Sequence, residues 1–173
     1  MSKEILDHSA EESQVSMSLV GRVVIIAGIL LAAIHFGTGY GLELLGLPPG
    51  LERQFSLAFF LFFTWLAVNS GIRTVNKLLP GIAVGWLLIT GMGIGLWAQA
   101  VLSLAKWAMP RFGGQETLPL LPVLLAGLLP SLAVSLLVAV LTTITLRVES
   151  KLMAILLRIL IFGLLALLIY LWI

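Results

Sequence analysis

His35, Asn69 and Gln99 are the polar side chains best placed for chemistry, because each lies within or near the end of an otherwise apolar run. An imidazole in such a run can relay a proton, gate with pH or contact a quinone, and an amide can bond a solute or a neighbouring helix. The structural counterpart for His35 is a neutral ring bonded to a carbonyl or hydroxyl of the next helix. The other histidine, His8, lies in a polar leader, so the apolar runs hold no second imidazole for a haem. Absence of cysteine removes disulfides, thiolate catalysis and cysteine-ligated zinc or iron–sulfur centres. There is no metal-ligand cluster, phosphate-binding loop or serine–histidine spacing either, and the sequence points to no enzyme and no cofactor. Arg158, set about two turns into the last apolar run, lies seven residues after Lys151 on the same helical face. Snorkelling beside Lys151, it forms a lipid-headgroup candidate.

Apolar helices must position these groups. The 173 residues are 60% hydrophobic and 10% charged with mean hydropathy +1.14, whereas a water-soluble domain carries about 25% charged residues. Lipid is therefore the solvent for most of this surface, and the bilayer is the first partner. The net charge of +2 comes from basic residues scattered singly at the ends of apolar runs, a pattern that suits membrane orientation and offers nucleic acid no basic stripe. The fold class is all-α, a polytopic transmembrane helix bundle. A polar, cytoplasmic N-terminal tail, 1–18, precedes a transmembrane domain, 19–173. Spans are expected near 19–42, 55–72, 81–103, 119–146 and 152–173, each about 20 residues or more. The tail is read as frayed, with Ser9 and Glu12 as a possible capping box for a short helix. The connection Glu43–Gln54 is read as an extended turn around Pro48-Pro49-Gly50. The alternative to five spans is four plus an interfacial C-terminal helix; Tyr170 and Trp172 favour the fifth span.

Three spans carry small residues at helical spacing. Gly28 and Ala32 share an arc with His35. Gly81, Gly85 and Gly95 share one with Gln99. Ser131 and Ser135 recur at four-residue spacing with Ala139 and Thr143. Such faces let helix backbones approach closely in lipid.

With five spans, Lys3, Arg22, Arg73, Lys77, Arg147, Lys151 and Arg158 fall on one side and Arg53, Lys106 and Arg111 on the other. The basic side is cytoplasmic, which places the N-terminus there, in a plasma or inner membrane. Three packing faces suggest a non-enzymatic small subunit or assembly factor of a larger membrane complex, joined to other subunits or to itself. The rival expectation is a small homo-oligomeric channel or transporter with a polar path near His35, Asn69 and Gln99.

Overall fold

The structure, a computed structural model, describes residues 2–112 and 119–148 and, beyond them, 152, 153, 155–157, 159, 160, 163, 164 and 167; its side chains are described from Met17 on, Arg111 and Phe112 excepted. It is all-helical, with no strand among the described residues. Four long helices run in order: α1 (Ser2–Leu45), α2 (Pro49–Leu78), α3 (Val84–Phe112) and α4 (Leu120–Arg147). All four are long and apolar enough to cross a membrane, α1 over Met17–Leu45 and α3 over Val84–Pro110. The described residues after Val148 are helical too, which matches the arrangement of four spans plus a C-terminal helix. Lys151 and Arg158 lie outside the described residues.

The helices extend further than apolarity alone predicts. The first connection is Gly46, Leu47 and Pro48, not the whole of 43–54. Gly46, at φ +58°, ends α1 in the left-handed conformation that glycine adopts without strain. Pro49 then opens α2 at its first helical position, where a missing N–H costs nothing. Glu43, Glu52 and Arg53 therefore stand on helices. Gly81 likewise belongs to a turn at φ +86°, so it is not on the face of α3 to which its spacing assigned it. The leader also differs from the frayed tail expected. It continues α1 back to Ser2, giving 44 residues or about 66 Å. No proline or glycine interrupts 2–20, and a helix already nucleated by its apolar span propagates readily.

α1 touches α2, α2 touches α4, α4 touches α3 and α3 touches α1, so the four helices form a ring. Across it, α2 and α3 meet on one diagonal, while α1 and α4 do not touch. The seams are made by small residues. A Cβ built on Gly95 would stand 2.5 Å from Ser135 Cβ, and one on Gly91 2.5 Å from Ala139 Cβ, so α3 and α4 meet nearly backbone to backbone. Ser131 Oγ donates a buried bond across this seam to the Gly95 carbonyl at 2.9 Å. Gly28 on α1 lies under the Trp97 ring of α3, and Gly93 faces Val24. On the diagonal, Gly71 is covered by Ile94. Gly28, Ala32, Gly95, Ser131 and Ser135 are thus buried in seams within the chain. Gly85 is exposed, with open space where a side chain would be.

Two substitutions weigh polar groups in this core. Ser131→Ala removes the cross-helix bond and is expected to cost about 1 kcal/mol, since interhelical bonds in lipid average about 0.6 kcal/mol and the Gly95 carbonyl keeps its intrahelical role. Thr143 Oγ1 is buried and has no hydrogen-bond partner among the described residues. Thr143→Val, equal in shape, is therefore expected to raise stability by about 1 kcal/mol. Thermal unfolding in detergent reads both, and the signs must be opposite.

Candidate functional site

Polar side chains from α1, α2 and α3 gather around the ring axis at one end, that of the α1–α2 connection, and face α4. They line a cleft of about 690 Å³, within the usual range of ligand sites. The sequence positions each wall. α1 supplies His35, Thr38 and Gly39 from its second half, and α2 supplies Glu52, Arg53, Ser56 and Phe60 from its first. α3 contributes Gln99, Ser103 and Lys106 near its end, and α4 contributes Ala126, Gly127 and Pro130 near its start. The up-and-down course of the chain brings these segments to one depth.

Deep in the cleft His35 is tied to α2. Its Nε2 lies 3.3 Å from Thr64 Oγ1, with the donor set by the tautomer, and its ring stacks obliquely on Phe60 at 5.1 Å between centroids. Thr38 Oγ1 bonds the His35 carbonyl one turn back, at 3.1 Å. On the opposite wall Gln99 Nε2 donates to Ser103 Oγ at 3.0 Å. The Gln99 amide occupies the space where a side chain at position 127 would stand, so this wall requires glycine there. Nearer the mouth are Glu52, Arg53 and Lys106, none of which makes an ion pair among the described residues.

Below the His35–Thr64 pair the axis closes. Val68, Ile72, Leu87 and Ile94 are each 0% exposed and Val138 is 1%, and they belong to one continuous apolar cluster. The cleft is a vestibule whose floor is buried and mainly apolar, with Thr90 and Ser135 also buried in it.

Of the three intramembrane polar residues singled out by sequence, His35 and Gln99 line this vestibule and Asn69 does not. Asn69 lies a turn and more beyond Thr64, where its Oδ1 accepts from Arg73 Nε at 3.0 Å. It is part of the closed end, where Arg147 Nη2 also donates to the Ile82 carbonyl at 3.2 Å. Glu52, Arg53, Lys106 and Gly127 were not singled out as site residues. The readable signal was depth: in an up-and-down bundle, residues near the end of α1 and the start of α2 share a level with the end of α3 and the start of α4.

No protein-family model, curated protein or solved structure matches this chain.

Proposed function

We propose that this chain is a non-enzymatic integral protein of a plasma or inner membrane that receives a small polar molecule in its vestibule from one side of the bilayer. The observation that supports this most is the gathering of hydrogen-bonding and charged groups from α1, α2 and α3 at one end of the axis, faced by α4 and above a buried, mainly apolar floor. A cavity between bundle helices, with a few convergent polar groups, is the form that ligand sites take in such folds. A vestibule above such a floor suits a binding protein or one face of an alternating carrier better than an open pore. Charge supports an orientation as well. Arg22, Arg73, Lys77 and Arg147 stand toward the closed end and Arg53 and Lys106 toward the mouth, so the closed end with the N-terminus faces the cytoplasm and the mouth faces away from it.

A second reading, a subunit or assembly factor of a larger complex, draws on a different observation. The small-residue seams of α3 and α4 are occupied within the chain, but Gly37 and Gly41, one turn apart on α1, and Gly85 on α3 have open space around them. Those positions are free to seat another helix.

The natural chain has no cysteine, so single-cysteine variants test the first reading directly. With a membrane-impermeant maleimide applied from outside, Thr38→Cys and Ser56→Cys in the vestibule are expected to react, and Thr90→Cys, at a 0% exposed position, to stay unlabelled. Reaction of the vestibule cysteines only from the cytoplasmic side reverses the orientation. No reaction from either side removes the vestibule as a water-accessible site and leaves the subunit reading.

A further inference from the structure

The charges at the mouth name a class of ligand, on the reading that the vestibule binds one. We infer that it takes a monoanionic group, the phosphate or carboxylate of a small molecule or lipid headgroup, seated between Arg53 and Lys106. Arg53 comes from the second turn of α2 and Lys106 from near the end of α3. These helices lie on the ring diagonal that is closed by Gly71, Ile94 and Gly91 lower down, so at the mouth the two cations flank one space. Neither is neutralised by an ion pair among the described residues.

Among the described lining residues Glu52, Arg53 and Lys106 sum to a formal charge of +1, histidine taken as neutral. A monoanion balances it, and a cation is repelled. The low-dielectric walls of a membrane cleft focus that field toward its mouth. The guanidinium fork matches two oxygens of a phosphate or carboxylate, and the ammonium adds a point charge. Deeper, Gln99 and Ser103 offer hydrogen bonds to an uncharged part of the ligand, and the Phe60 ring offers it a flat apolar wall. Glu52 disfavours a second negative charge and can accept from a hydroxyl or ammonium on the same molecule.

The test uses the full-length Thr38→Cys protein in phosphatidylcholine vesicles and follows its maleimide labelling rate. Inorganic phosphate, added against chloride at constant ionic strength, is the soluble probe; replacing part of the phosphatidylcholine with phosphatidylglycerol is the headgroup probe. Slowing by phosphate identifies a free anion as ligand, and slowing by phosphatidylglycerol identifies a headgroup. In either arm the double variant Arg53→Gln/Lys106→Gln is expected to weaken protection about tenfold or more, while Glu52→Gln, which removes the negative charge of the lining, is expected to strengthen it. Both lysine and arginine are exposed, and Lys106→Gln alone gives the same direction if the double variant is poorly produced. Labelling that ignores both probes, or protection that survives loss of both cations, overturns the anion assignment while the vestibule stands. Failure of Thr38→Cys to label at all removes the vestibule itself.

Discussion

Gly95→Leu is expected to push α3 off α4 and to destabilise the bundle by about 3 kcal/mol. The added Cβ would stand 2.5 Å from both Cβ and Oγ of Ser135 and 3.2 Å from the Ser131 carbonyl oxygen, which is backbone and cannot step aside. The same displacement breaks the bond from Ser131 Oγ to the Gly95 carbonyl. α3, like α2, touches all three other helices, so the loss spreads beyond one seam. Gly85→Leu is the matched control. It makes the same change on the same helix, at an exposed position with open space, and is expected to stay within about 0.5 kcal/mol of the parent. Thermal unfolding in detergent separates the two. Equal stability of both variants would show that the α3–α4 seam is not where these distances place it.

The vestibule yields a second pair with a large contrast. Gly127→Leu puts a side chain where the Gln99 amide lies. It is expected to expel that amide from its bond with Ser103, to shift the first half of α4 outward and to cost about 1–3 kcal/mol. Gly39→Leu, on the facing wall, meets nothing within 4 Å. It is expected to leave stability within about 0.5 kcal/mol and to fill the cleft instead, so that Ser56→Cys labelling slows and any ligand protection disappears. A cleft that stays fully reactive in Gly39→Leu would place the accessible space elsewhere. The pair thus separates damage to the wall from occupation of the volume.

The four spans were legible because uncharged runs of sufficient length allow little else. Two packing faces were legible for a related reason. On α1 and α4, small residues recur against a background of bulky ones, so Gly28 and Ala32, or Ser131 and Ser135, stand out at helical spacing. α3 was harder to read. Because it packs against three neighbours, its buried residues, among them Leu87, Thr90, Gly91, Ile94, Gly95, Ala98, Leu102 and Ser103, spread over a wide arc. The narrow arc read from Gly81 through Gln99 kept Gly95 and missed Gly91. Helix ends were the weakest point, since Pro49 and Gly50 punctuate a chain equally well inside a loop and in the first turn of a helix.

Of the candidate site, His35 and Gln99 were legible as polar groups in apolar surroundings, but their meeting was not. Convergence depends on which helices are neighbours around the ring, and periodicity within one helix carries no such information. Glu52, Arg53 and Lys106 were passed over because charge near the end of a span is also what membrane orientation alone requires. Their shared cleft distinguishes them, and only the assembled bundle brings it out.

The apolar floor of the vestibule has an electrical consequence. Water admitted to the vestibule would carry the potential of its own compartment down to the level of His35 and Thr64, leaving the buried layer of Val68, Ile72, Leu87, Ile94 and Val138 as the insulator. The membrane voltage then falls across a septum thinner than the bilayer, and the local field rises in proportion. An ion held at the mouth senses almost none of it. One that crossed the septum would sense nearly all, about 2.3 kcal/mol per unit charge for each 100 mV.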